Sequence, residues 1–121
     1  MGSIPTRRFG RTELAIPLLS LGTMRCQQSW SDLPAEEISD RSQVQLQATL
    51  DRAVAEGFHH VETARHYGTS ELQLGWALPK SPDAKRLLQS KVPPRDDVVA
   101  FEAELELSFE RLGCDLSLIH I

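Results

Sequence analysis

Apolar residues recur along the chain in two rhythms that alternate from residue 18 onward. Residues 18–24 form a short, nearly continuous apolar run, as a strand buried on both faces does, with Gly22 where the backbone comes close to a neighbour. Residues 42–56 then set Val44, Leu46, Leu50, Ala53 and Val54 close to a helical stripe, and Gly57 stops it. The alternation repeats. Residues 58–63 read as a strand, 70–78 as a helix ended by Pro79, and 86–92 as a strand before Pro93 and Pro94. Residues 97–112 follow as a helix, with Val98, Phe101, Leu105, Phe109 and Leu112 three or four apart and Gly113 behind them. Residues 116–121 are expected to form a fourth strand. Ahead of the first strand, residues 7–16 hold the turn pair Phe9-Gly10 and run into Pro17, a small hairpin suited to capping one end of a barrel. Polar residues 25–41, with Trp30 and Pro34, read as an extended loop that either covers a site or is mobile.

Strands alternating with helices across short joins argue for parallel βαβ units with right-handed crossovers, so the fold class is α/β. No linker divides residues 1–121 into separate domains. Composition leaves this picture unchanged: of 121 residues, 40% are hydrophobic and 25% charged, an ordinary globular balance. The net charge of −4, from 13 basic and 17 acidic side chains, gives no broad electropositive surface. That argues against nucleic acid and anionic membranes as partners. No apolar run approaches the ~20 residues that span a bilayer. The first twelve residues carry Arg7, Arg8 and Arg11 without a signal-peptide core, so a cytoplasmic location is expected. Cys26 and Cys114 are too few and too far apart for a disulfide framework or a zinc cluster, and two reduced thiols are expected. No metal is expected, and His59, His60 and His66, lacking a second ligand set, read as packing or solvent-facing residues.

The candidate chemistry lies between residues 59 and 91. Glu62 and Lys91 end successive predicted strands, and neighbouring parallel strands deliver their carboxyl ends to one face of the sheet. Tyr67 follows Glu62 in a loop limited by Gly68, within reach of the same place. A phenol of pKa ~10 is a poor proton donor at neutral pH, but a nearby ammonium stabilises the phenolate and lowers that value. A lysine beside the tyrosine therefore equips it for general acid work, and a carboxylate beside the lysine keeps the lysine charged and in place. Taken singly, each residue has a plainer reading: Tyr67 packing its ring in a turn, Glu62 solvated or capping, Lys91 a surface charge. Their joint placement favours the chemical one. Thr69 and Ser70 are expected to cap the next helix, with Ser70 and Gln73 at capping-box spacing.

Three strings carry a family resemblance: Arg7-Arg8-Phe9-Gly10-Arg11-Thr12, Leu21-Gly22-Thr23-Met24, and Glu62-Thr63-Ala64-Arg65-His66-Tyr67-Gly68-Thr69-Ser70-Glu71. Together they resemble the aldo-keto reductase family over residues 6–112. The resemblance implies an incomplete (β/α)8 TIM barrel: the N-terminal hairpin, the first three βα units and a possible fourth strand, about the first third of the whole. It also implies a nicotinamide coenzyme, usually NADPH, that reduces the carbonyl of a small-molecule substrate. Tyr67 matches the family's proton-donating tyrosine and Lys91, in Gln-Ser-Lys-Val, its lysine. Glu62 stands where the common pattern has aspartate; it keeps the charge with one more methylene, as one branch of the family does. By the same resemblance Gly22, Thr23 and Glu62 border the nicotinamide and its ribose.

Leu118-Ile119-His120 resembles the strand bearing the family's histidine, making His120 the fourth catalytic residue. Its distance from Gly113 is a few residues shorter than the family's, which would change its direction on a strand. Residues 116–121 also resemble a translated sequencing adapter, so two origins stay open for His120. Since most adenosine and phosphate contacts in the family come from later strands, this chain alone is expected to bind NADPH weakly or not at all, and to be inactive. It is also expected to self-associate through exposed strand edges. The alternative, from another functional class, is a non-catalytic interaction module.

Overall fold

The computed structural model describes residues 4–81 and 86–114. Backbone pairing begins with an antiparallel hairpin of β1 (Thr6–Arg8) and β2 (Ala15–Pro17), in which Thr6 faces Pro17. A separate parallel sheet joins β3 (Leu21–Gly22), β4 (His60–Glu62) and β5 (Leu87–Gln89) in that order. Helix α1 (Asp40–Ala55) connects β3 to β4, α2 (Ser70–Ala77) connects β4 to β5, and α3 (Val98–Leu112) follows β5. Short 3-10 turns occupy Ala35–Glu37 and Leu78–Lys80. The order is the expected βαβ winding, and the sheet is open rather than a closed barrel. No helix among the described residues is long and apolar enough to cross a membrane.

Register sorts the side chains onto two faces. Leu21 aligns with Val61 and Val61 with Leu88, so these three share a face. That face packs on the helices: Val61 joins Leu46 and Leu50 of α1, Leu74 and Ala77 of α2, Leu78 and Leu112 in one buried cluster, with Leu21 and Leu88 against it. Burial of Leu46, Leu50 and Leu74 stabilises the fold by roughly 1.5–3 kcal/mol each. His60, Glu62 and Gln89 fall on the opposite face with Leu87, so that face is polar toward the carboxyl ends of the strands. The same alternation thus builds a core on one side and leaves polar groups at the strand ends on the other.

The helix boundaries have local causes. Ser39 Oγ accepts the Ser42 N–H at 3.3 Å, so α1 starts at Asp40, two residues before the periodicity suggests. Asp97 Oδ1 accepts the Ala100 N–H at 2.8 Å and opens α3 in the same way. Gly75, in the middle of α2, is where α3 comes closest. A Cβ there would lie 1.8 Å from the Arg111 carbonyl oxygen, which explains a residue that weakens an isolated helix by about 1 kcal/mol.

Four expectations need correction. The first strand is two residues, not seven: Leu18 donates its N–H to the Pro5 carbonyl at 2.9 Å and so extends the hairpin. Leu18 and Leu19, outside β3, are 53% and 56% exposed. The second and third strands are likewise shorter than their apolar runs, three residues each. Residues 25–41 are not a free loop; the Gln28 side chain receives the Ser39 N–H at 2.7 Å and donates to the Glu37 carbonyl at 2.8 Å. Ser70 makes no capping box: it is the first residue of α2, and its hydroxyl is engaged elsewhere. The expected strand over residues 116–121, with His120, lies outside the described residues.

Candidate active site

Pairing between the second and third parallel strands continues beyond their regular portions. Thr63 N–H donates to the Gln89 carbonyl at 2.8 Å and Arg65 N–H to the Lys91 carbonyl at 2.9 Å. This carries Lys91 alongside the chain that leaves Glu62. Its ammonium pairs with Glu62 Oε1, donates to the Thr63 carbonyl at 2.8 Å, and lies 5.0 Å from the centre of the Tyr67 ring. Glu62, Tyr67 and Lys91 are therefore brought together at the carboxyl end of the sheet. Partial burial pulls the Lys91 ammonium below the ordinary lysine range, while the adjoining carboxylate works in the opposite direction.

Tyr67 is held by a turn, its N–H donating to the Ala64 carbonyl at 3.1 Å and its carbonyl accepting from Ser70 N–H at 2.9 Å. Gly68 follows with φ +50°, and a Cβ there would fall 1.9 Å from the Ser29 carbonyl oxygen. Only glycine satisfies both demands. The close approach brings Trp30 edge-on to Tyr67, with ring centres 6.4 Å apart.

Behind the strand ends lies a buried hydroxyl cluster. Thr23 donates through its N–H and its Oγ1 to the Glu62 carbonyl, each at 3.0 Å. Ser70 Oγ lies 2.9 Å from both Thr23 Oγ1 and Thr63 Oγ1. Thr23 is fully buried and thus braces the Glu62 backbone, while Gly22 leaves the flank of the Glu62 carboxylate uncovered, with Oε2 3.4 Å from where a Cβ would sit. A carboxylate with one open flank beside a glycine fits a coenzyme's ribose hydroxyl and nicotinamide ring. Deeper on the same polar face, His60 Nδ1 lies 2.6 Å from Ser20 Oγ, and burial pushes its pKa down. Among the described residues no group of three potential metal ligands converges.

Two charged residues of the same signature, Arg65 and Glu71, have no role in the sequence pattern alone. They form a sealed ion pair, at 4% and 0% exposure. Glu71 Oε1 also accepts from Ser90 Oγ at 2.6 Å and its Oε2 from Ser108 Oγ at 3.2 Å. Arg65 further pairs with Asp32 and approaches Glu104 Oε2 at 3.5 Å. Asp32 also meets Arg111 at 2.7 Å. Burial acts to raise the Asp32 pKa, but Arg65 and Arg111 outweigh it and hold the carboxyl below its usual range. One signal was available in the sequence: opposite charges either side of a tight turn between two buried elements.

Comparison with known proteins bears on the family and the fold. The sequence profile of the Aldo/keto reductase family matches residues 18–120. Among solved structures, one described as a candidate aldo-keto reductase from Pseudomonas aeruginosa is 27% identical, with TM-score 0.69 over 93% of this chain and 46% of that one. A thermostable aldo-keto reductase in complex with the inhibitor epalrestat is 26% identical, with TM-score 0.69 over 91% of this chain and 39% of that one. An aldo-keto reductase from Bacillus halodurans, at 22% identity and TM-score 0.70 over 93% of this chain and 37% of that one, speaks for the fold alone. The chain thus spans less than half the length of the structures it matches. No curated protein matches it.

Proposed function

The chain belongs to the aldo/keto reductase family, and on that premise we propose that it is the N-terminal portion of a single barrel domain that reduces aldehydes or ketones to alcohols with NADPH. When bound, the coenzyme supplies hydride to the carbonyl carbon. Tyr67 gives its hydroxyl proton to the carbonyl oxygen, as general acid. Lys91 stabilises the phenolate left behind, and Glu62 keeps Lys91 charged and fixed. His120 completes the set by the family pattern. Gly22 and Glu62 border the nicotinamide and ribose, Thr23 bracing them from behind. This chain alone is expected to bind NADPH weakly and to be inactive. A cytoplasmic location goes with this reading.

The observation that carries it is the Lys91 ammonium lying between the Glu62 carboxylate and the Tyr67 ring. The test is aldehyde-dependent NADPH consumption by the protein at its full native length, comparing wild type with Lys91→Met and Glu62→Gln. Lys91→Met is expected to lower kcat by about 100-fold or more, and Glu62→Gln by less. An unchanged kcat in Lys91→Met refutes the assignment. A second reading, an interaction module, draws on the free outer edges of β3 and β5 among the described residues. It requires partner binding that survives Tyr67→Phe.

A further inference from the structure

Trp30 is 57% exposed, yet it has a fixed place beside Tyr67. The segment bearing it is fastened on both sides. Before Trp30, the N–H groups of Gln28 and Ser29 donate to Thr69 Oγ1 at 3.0 and 3.3 Å, and Thr69 N–H donates to the Ser29 carbonyl at 3.1 Å. After it, Asp32 is held by Arg65 and Arg111. The two fastenings differ in kind. The first combines the buried Thr69 hydroxyl with backbone packed on Gly68, whereas the second depends on one carboxylate.

Arg65 does not need Asp32 to balance its buried charge. Glu71 already does that from a fully buried position, and Glu104 approaches from α3 while itself paired with Arg95. What the additional carboxylate does is tie residues 30–32 to the turn that carries Tyr67. We propose that Asp32, acting through Arg65, is a positioning residue that sets Trp30 against Tyr67. The functional consequence rests on the reading of Tyr67 as proton donor: the indole forms a fixed wall beside the phenol and orients the carbonyl that approaches it. Without the tie, the backbone at residues 28–29 stays in place and the indole swings away.

With ring-labelled tyrosine in the full-length protein, the NMR signals that Tyr67→Phe removes are those of Tyr67, and they report directly on the indole beside it. Trp30→Leu defines the ring positions without the indole, and Tyr67→Phe assigns them. Asp32→Asn is expected to move the Tyr67 signals to those of Trp30→Leu, and Asp32→Glu to return them toward wild type. Arg111→Gln, which removes only the outer contact, is expected to give a smaller displacement. Tyr67 signals that stay at wild-type positions in Asp32→Asn overturn the proposal, even if that variant melts earlier. In the active full-length protein, Asp32→Asn should raise KM about three- to tenfold with a smaller change in kcat, an edge-to-face contact's worth of binding. An inactive wild type would count against the reductase reading and leave the ring-signal result to decide the positioning of Trp30.

Discussion

Arg65 keeps its charge in a nearly sealed position because Glu71 meets it there, and each would be costly to bury alone. Arg65→Met leaves Glu71 buried and charged among Ser90 and Ser108, and should destabilise the protein by about 3–5 kcal/mol in urea denaturation. Adding Glu71→Leu should recover much of that loss. His60 makes stability depend on pH. Burial lowers its folded-state pKa below the ordinary 6.5, so the unfolded chain takes up a proton first. Its stability contribution is complete above that ordinary value and is lost as pH falls toward the folded one. Melting temperature should drop between about pH 7 and pH 5, and His60→Gln should flatten that slope. At this scale Glu62, Tyr67 and Lys91 were legible because strand ends and a loop glycine are visible in the residue order. Arg65 and Glu71 were not, since a charged residue in a loop reads as solvated until a third and fourth element close over it.

Helices were more legible than strands. Leu46, Leu50 and Leu112 kept the period that marks a packed face, and Asp97 and Gly113 bounded α3 with recognisable caps. The strands came out short because an apolar run does not by itself mark pairing: Leu18 and Leu19 continue the run but face solvent, and Leu18 bonds back to Pro5 ahead of the hairpin. Ser70 shows how a local pattern loses to tertiary demand, its hydroxyl taken by Thr23 and Thr63 instead of the helix end. Asp97→Ala removes the side-chain acceptor that caps the start of α3 and should cost about 1 kcal/mol in thermal unfolding. Gly75→Ala should cost more despite the better intrinsic propensity of alanine. Its methyl group would collide with the Arg111 carbonyl and force α2 and α3 apart, an overpacking penalty of about 1–3 kcal/mol or higher.

Taken whole, the described part of the chain is a parallel sheet with helices on one face and Glu62, Tyr67 and Lys91 together past the carboxyl ends of its strands. That polarity was readable in the alternation of strand and helix, whereas closure of the sheet was not, because closure depends on more strands than residues 18–92 supply. Free edges on β3 and β5 are templates for pairing. The 121-residue chain by itself should therefore sediment with a mass that rises with concentration, and a sharp, cooperative, monomeric unfolding transition would argue against this. The chemistry at the strand ends is decided by aldehyde reduction with NADPH in the protein at full native length, wild type against Tyr67→Phe. A fall in kcat of about 100-fold or more, with the circular dichroism spectrum unchanged, is the expected result. A Tyr67→Phe protein that reduces the aldehyde at the wild-type rate would contradict it.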